Sequence, residues 1–324
     1  MTAMLATTNL SKTFSLKQDL LARAIGRAAP QQVFAVNKVS LAVQKGEVLG
    51  LVGESGCGKS TVGRMIAGLL PATAGSLAFE GEDITRPSVA THLKIQMVFQ
   101  NPYASLNPRH RIDQVIGEAA VYHGLVAKSD APAFVAELLR QVGLDPSYAT
   151  RYPHQFSGGQ RQRIAIARAL ALDPRFMVCD EAVSALDVSV QAQVLNLFMD
   201  LRESKGLTYL FISHNLAVVE YVADRVAIMY LGRIVEMAET REIFARPQHP
   251  YTQALIADAP RLDTKVAEHR PIQGELPSPL NPPQGCAFHP RCVHAMPRCR
   301  SEVPVLMESA PGHWSACHLV SPSA

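Results

Sequence analysis

The sequence has no apolar run of about 18 residues or more. Its longest promising stretch, Met65 to Phe79, is broken by Pro71 and by Gly68 and Gly75, so a membrane-spanning helix is excluded. Between Met1 and Phe14 there is no basic start followed by an apolar stretch and a small-residue cleavage site, so no secretory signal is read. The expected state is a soluble cytosolic chain. Charge of one sign is also scarce. The 31 Lys and Arg against 28 Asp and Glu leave +3, too small a bias over 324 residues to argue for nucleic acid or anionic lipid as the partner. Six cysteines are too few for a disulfide scaffold, and in a reducing compartment a cysteine group more often holds a metal than forms disulfides. Four of the six nevertheless crowd into the last stretch, at Cys286, Cys292, Cys299 and Cys317.

With 48% hydrophobic and 18% charged residues the chain is not largely disordered, and its length suits about two domains or one large α/β domain with an appendage. Short apolar runs at 33–43, 47–52, 94–99, 176–179, 207–212 and 226–230 read as strands, most of them buried on both faces. Helical patterns at 59–70, 112–124, 131–142, 159–172, 190–204 and 216–222 lie between them, and strands alternating with helices imply a mainly parallel sheet. Residues 101–172 hold helices without a good strand, which suggests a helical subdomain inserted into the sheet-bearing body. Composition changes after Pro247 and 271–290 is proline-rich, so the boundary is placed near residue 250. Ser15 to Gln32 reads as an extended surface loop between two strands in preference to an amphipathic helix on a membrane.

Gly53-Glu54-Ser55-Gly56-Cys57-Gly58-Lys59-Ser60 satisfies G-x-x-x-x-G-K-[ST] in full, after a strand and at the opening of a helix. The glycines let the backbone turn so that successive N–H groups face a β-phosphate, and the helix adds the positive end of its dipole. Lys59 supplies a mobile charge for the β- and γ-phosphates, the Ser60 hydroxyl suits Mg²⁺, and Thr61 is placed for the α-phosphate. Cys57, within the loop, and Cys179, near the second acidic motif, are read as packing residues. The apolar strand Phe176 to Cys179 ends in Asp180-Glu181. Beside a phosphate loop Asp180 can hold Mg²⁺ and its hydration shell, and Glu181 can polarise an attacking water.

Phe156-Ser157-Gly158-Gly159-Gln160-Arg161-Gln162-Arg163 resembles the signature motif of ATP-binding cassette (ABC) ATPases. The same family order follows over roughly residues 5–245: phosphate loop, Gln100, signature, Asp180-Glu181, Ser184-Ala185-Leu186-Asp187 and His214. Ser157, Gly158 and Gly159 cap a helix start and so form an anion site. The resemblance implies an α/β fold: a P-loop cassette with a mainly parallel sheet core, an antiparallel β subdomain, an inserted helical subdomain and a small C-terminal cysteine-bearing extension. The division it supports is a nucleotide-binding domain at 1–250, with its helical part at about 101–172, and an extension at 251–324.

Two cassettes of the family pack head to tail, so the resemblance implies that Ser157, Gly158, Gly159 and Gln160 close on ATP held by a second ATPase subunit. By the same resemblance Gln100 contacts Mg²⁺ and water and senses the transmembrane partner, and His214 holds the γ-phosphate and the water in line with Glu181. Asp187 links the two sites, and Phe14 stacks on adenine, a buried core phenylalanine being the other reading. Arg161, Arg163 and Arg168 read as solvated or paired with acids, not as a nucleic-acid face.

A narrower resemblance, to the ATP-binding subunits of dipeptide and oligopeptide importers and within them to the second dipeptide-importer ATPase, is carried by 99–109, 184–195, 249–255, 274–283 and the cysteine tail. It implies a peripheral location on the cytoplasmic face of the inner membrane, a paralogous second ATPase, two permease subunits, an extracytoplasmic substrate-binding protein as indirect partner, and Tyr103 to Arg109 as the docking surface. An importer of nickel or another small solute is an alternative, and a soluble ABC ATPase acting on DNA or ribosomes is a more distant one. Ala182-Val183 and Asn215 depart from common family residues without removing a catalytic group, and altered turn rigidity is expected there.

Cys286, Cys292, Cys299 and Cys317 are spaced too widely for a typical zinc site, although zinc is not excluded. Cys₄ ligation of a 4Fe-4S cluster tolerates irregular spacing, and the importer resemblance implies such a cluster as a structural staple; zinc and free thiols remain alternatives. His289, His294, His313 and His318 are spare ligands for a mixed site.

Overall fold

The structure, a computed structural model, describes residues 3–15, 32–258 and 274–321. The expected surface loop at 16–31 lies outside the described residues. In chain order the strands are β1 (Leu5–Ser15), β2 (Gln32–Val43), β3 (Val48–Val52), β4 (Ala74–Phe79), β5 (Glu82–Asp83) and β6 (Ile95–Val98). They continue with β7 (Phe176–Asp180), β8 (Thr208–Ser213), β9 (Arg225–Tyr230), β10 (Arg233–Glu239), β11 (Met307–Ala310) and β12 (His313–Ser315).

The apolar runs read from the sequence become the centre of one sheet, ordered β11-β12-β10-β9-β3-β8-β7-β6. Its body is parallel: β3 lies between β9 and β8, with Leu51 opposite Ala227 on one side and Ile212 on the other, and β7 and β6 follow in the same direction. β3 has no solvent-facing residue because both sheet faces are covered, which is why its sequence is continuously apolar. The pleat sorts alternate residues into two cores. Tyr209 and Phe211 of β8 pack with the helices Ile112–Tyr122, Ala131–Gln141 and Gly158–Leu170, whereas Leu210 and Ile212 pack with the helix Lys59–Ile66 and with β1, β2 and β4. Each buried Leu or Ile contributes roughly 1.5–3 kcal/mol, so these two faces hold the parallel strand ends in register.

The second sheet, β2-β1-β4-β5, is antiparallel. Its β1 is interrupted by register shifts around Asn9, whose φ is 50°, and this breaks the alternation that would mark a strand. The helix after the phosphate loop stops at Ile66, before the expected Leu70. Gly68 turns into the left-handed region at φ 70°, and the Leu69 N–H closes on the Arg64 carbonyl at 2.8 Å.

Among the described residues, every regular element between 101 and 172 is helical. Within this region Arg161, Arg163 and Arg168 serve backbone carbonyls and not acids. Arg161 is buried, stacks 3.7 Å from the Tyr103 ring centroid and donates to the carbonyls of Pro153 (2.7 Å) and His154 (3.2 Å). Arg163 donates to the Val142 carbonyl at 2.7 Å and Arg168 to the Ser105 carbonyl. The reason is local: helix and loop ends leave carbonyls without intrahelical partners, and guanidinium groups satisfy them.

The C-terminal residues add to the main sheet. β10 runs antiparallel to β9, β12 pairs with β10, and β11 closes the edge. Glu236 of β10 is fully buried and accepts the N–H groups of Gln248 (2.7 Å) and His249 (2.9 Å) while pairing with His313 Nε2 at 2.7 Å. A third core joins Tyr230 of β9, Tyr251 of the helix Pro250–Asp258, and Phe288.

Candidate functional site

The strands β3, β6, β7 and β8 all end on one side of the parallel sheet, the side where an open α/β sheet presents its ligand crevice. β3 delivers Gly53 to Ser60 to that edge. Gly58 has φ 109°, and a Cβ there would lie 2.2 Å from the Ala35 carbonyl oxygen. At Gly53 a Cβ would meet the Met229 carbonyl oxygen at 2.1 Å. Both positions therefore exclude any side chain, and the loop is pressed against β2 and β9.

Lys59 is buried, and its Nζ donates back to the carbonyls of Gly53 (2.7 Å) and Glu54 (3.0 Å). Its ammonium is thus stored inside the loop that Ser55 and Gly56 cap with exposed residues. Thr61 stands half-buried on the first turn of the helix. Cys57 and Cys179 are buried, and desolvation pushes both thiols above their usual range, which agrees with a packing role.

Ser60 Oγ donates to Asp180 Oδ1 at 2.8 Å. Burial raises the Asp180 carboxyl above its usual range; the Ser60 hydrogen bond opposes this and the Glu181 charge adds to it. A desolvated carboxylate beside a hydroxyl is a hard oxygen pair that fits Mg²⁺, whose charge would favour the ionised form. Glu181 follows with φ 48°, held by its N–H bond to the Ile212 carbonyl at 2.9 Å. Gln100 Nε2 donates to Glu181 Oε2 at 2.6 Å, and His214 Nδ1 lies 3.2 Å from Glu181 Oε1. Three residues from the ends of β6, β7 and β8 thus meet around one carboxylate.

The remaining expected residues lie outside this cluster of contacts. Ser157 caps the helix Gly158–Leu170 through a reciprocal pair with Gln160, Ser157 Oγ accepting the Gln160 N–H at 3.3 Å and Gln160 Oε1 the Ser157 N–H at 3.1 Å. Gly159 is buried against Val190, where a Cβ would come within 2.3 Å of Cγ1. Asp187 is exposed and precedes the helix Val188–Lys205 without capping it, so its carboxylate is not spent on its own helix. Phe14 is 38% exposed on β1, with Lys12 Nζ 5.2 Å from its ring, so it is not a core residue. Tyr103, in the expected docking surface, is 63% exposed. Asn215 caps its helix by accepting the Ala217 N–H at 3.0 Å.

Of the four late cysteines, Cys286 and Cys292 pack against the third core, and the Cys286 N–H donates to the Cys299 carbonyl at 2.8 Å. The Cys286 thiol is pushed up to about 11, first by burial and further by the charges of Cys299, Cys317 and Cys292, against the Phe288 N–H. Backbone N–H groups of His294 and Leu319 act in the same way on Cys292 and Cys317. Yet among the described residues no group of three or more His, Cys, Asp or Glu is set to hold a metal ion. The donor chemistry suits a cysteine-ligated group, but the thiols are neighbours without forming a ligand sphere. Three of the spare histidines are engaged elsewhere: His313 with Glu236, His289 Nδ1 with the Cys286 carbonyl at 2.9 Å, and His318 Nε2 with the Glu302 carbonyl at 3.0 Å.

A phosphate loop on β3, an acidic pair closing β7 and a capped helix start define a P-loop nucleotide-hydrolysing fold. Residues 36–184 match the model of the ABC transporter family, and residues 235–299 match that of the oligopeptide/dipeptide transporter C-terminal region. The chain is 49% identical over 321 residues to the oligopeptide transport ATP-binding protein AppF of Bacillus subtilis, covering 97% of this chain and 96% of that one. It is 48% identical over 321 residues to the dipeptide transport ATP-binding protein DppF of Haemophilus influenzae, covering 98% and 96%. Among solved structures, the dimeric ATP-binding cassette MJ0796 in a post-hydrolysis state with ADP and Pi superposes with a TM-score of 0.64 at 25% identity, over 74% of this chain and 99% of that one. The chain belongs to the ABC transporter ATP-binding proteins, in the oligopeptide/dipeptide branch. No helix among its described residues is long and apolar enough to cross a membrane.

Proposed function

We propose that the chain binds MgATP at Gly53 to Thr61 and hydrolyses it to energise import of dipeptides or oligopeptides through separate permease subunits. The observation that carries this reading is the meeting of Gln100, Glu181 and His214 next to the Ser60–Asp180 pair. Loop N–H groups bind the phosphates, and Lys59 turns from its carbonyls to the β- and γ-oxygens. Ser60, Gln100 and Asp180 would hold Mg²⁺, which would supply neutralisation of the phosphate charge. Glu181 accepts a proton from the attacking water, while Gln100 and His214 fix its two oxygens and hence its direction.

Phe14 is proposed to stack on adenine. Ser157, Gly158, Gly159 and Gln160, together with Asp187, are proposed to complete the site of a second cassette, in keeping with an exposed Ser157 at the helix start and an Asp187 carboxylate that does not cap its own helix. The second ATPase is read as a paralogue. The permeases dock at Tyr103 to Arg109, on the cytoplasmic face of the membrane, and peptide arrives from an extracytoplasmic binding protein. The division at about residue 250 stays part of this reading. So does a 4Fe-4S cluster at Cys286, Cys292, Cys299 and Cys317, zinc being the alternative; the N–H groups aimed at three of the sulfurs favour it. Iron, sulfide and zinc analysis of anaerobically purified chain decides between them, and a chain containing neither metal rejects both.

The nucleotide reading is tested with the full chain and the fluorescent analogue mant-ATP. Wild type binds it with Mg²⁺ and releases phosphate from ATP, and Lys59→Ala binds at least about tenfold more weakly because the buried phosphate countercharge is gone. A wild-type chain that binds no nucleotide, or an unchanged Lys59→Ala, overturns it.

A further inference from the structure

The phosphate loop is held from the far end of the chain. Arg291 Nη1 donates to Glu54 Oε2 at 2.7 Å and Nη2 to Oε1 at 2.9 Å, a two-pronged ion pair spanning 237 residues of sequence. The Arg291 side chain is only 5% exposed. The backbone N–H of the same Glu54 donates to Tyr251 Oη at 2.9 Å. Both grips rise from the third core. Tyr251 packs on Tyr230 (4.6 Å between ring centroids) and on Phe288 (5.4 Å), and the Arg291 guanidinium lies 6.0 Å from the Tyr230 ring. A little further along the loop, the Cys57 carbonyl accepts the Gly232 N–H at 2.8 Å.

Glu54 is the residue after Gly53, inside the loop whose N–H groups would face phosphates. An unpaired carboxylate at that point repels a polyanion, and a loop free to shift loses the alignment of its donors. The planar guanidinium both neutralises the carboxylate and fixes its direction, which a single ammonium cannot do. We propose that Arg291 and Tyr251 are positioning residues of the nucleotide site: the C-terminal segment clamps Glu54, so that affinity for MgATP depends on the tail. The clamp rests on the nucleotide-binding reading and extends it to a segment outside the nucleotide motifs.

Titration of the full chain with mant-ATP and Mg²⁺, alongside thermal unfolding, separates a clamp from a mere staple. Arg291→Ala raises Kd about tenfold, since a buried hydrogen-bonded charge partner is removed. Arg291→Lys, which keeps the charge and loses the fork, raises it about threefold. Adding Glu54→Gln to Arg291→Ala recovers part of the loss, because the unpaired carboxylate has gone; a purely structural tail would not respond in that way. Should Arg291→Ala not fold, Tyr251→Phe, which removes one acceptor oxygen, raises Kd severalfold in a folded chain. Kd within twofold of wild type in the folded variants, or no recovery from Glu54→Gln, overturns the clamp. Failure of the wild type to bind mant-ATP overturns instead the nucleotide reading beneath it.

Discussion

Glu181→Gln separates binding from chemistry. The substitution keeps side-chain volume at a residue that is 13% exposed and already held at φ 48°, so the backbone is not asked to change. The amide oxygen can still accept from Gln100 Nε2, which sits 2.6 Å from Oε2, and the amide nitrogen replaces Oε1 at 3.2 Å from His214 Nδ1. Exchanging one charge-assisted hydrogen bond for a neutral one costs about 1 kcal/mol of stability, a shift in Tm of roughly 2–4 °C. The mutation abolishes the capacity to take a proton from water. A positioned general base contributes about 10²–10⁴-fold, or roughly 3–5 kcal/mol of barrier, so kcat falls by that factor while the Kd for mant-ATP stays within about twofold. Phosphate release under single-turnover conditions, with mant-ATP titration of the same preparation, reads both numbers. Hydrolysis within about threefold of wild type would refute the assignment of Glu181 as base.

Two further outcomes concern the joint between sheet and tail. Burial pushes the His249 imidazole down to about 4, against the opposing charge of Glu236. Between pH 6.5 and 4 the unfolded chain therefore binds a proton that the folded chain refuses. Stability is complete above that window and falls by up to about 3 kcal/mol as pH drops through it. Urea unfolding at pH 7, 5.5 and 4.5 shows this slope and His249→Gln flattens it; an identical slope in the variant contradicts the cause. Glu236→Leu leaves the N–H groups of Gln248 and His249 and the His313 ring without their acceptor, and lowers stability by about 3–5 kcal/mol in thermal unfolding. A Tm within about 2 °C of wild type would show that the acceptor is replaceable.

The stretch from Val48 to Ser60 is legible in sequence because its physics is contiguous: a doubly buried strand, glycines where side chains collide, then a helix start. Asp180-Glu181 is legible for the same reason, as an apolar strand running into two acids. β1 is not, since the shifts around Asn9 scatter its apolar residues between faces. β11 and β12 escape notice because they are only 4 and 3 residues long, and β12 joins the sheet by pairing with β10 across dozens of residues, too little local pattern to reveal a sheet edge. The arginines of the helix Gly158–Leu170 carry no sign in sequence of the carbonyls they serve, and nothing near Glu54 announces Arg291. Such contacts depend on the finished fold. The motif residues Gln100, Glu181 and His214, by contrast, are brought together by the ends of neighbouring parallel strands, each of which is a short apolar run visible in the sequence.

Uptake of a labelled dipeptide tests most directly whether hydrolysis at this site drives peptide import. Cells lacking other peptide-importer ATPases are supplied with the chain as wild type, Lys59→Ala or Glu181→Gln, at equal abundance and with its permease subunits present. Wild type is expected to sustain uptake, and both variants to fall to the level of cells without the chain. Wild-type uptake by cells carrying Glu181→Gln, or none by cells carrying the wild-type chain, would contradict it.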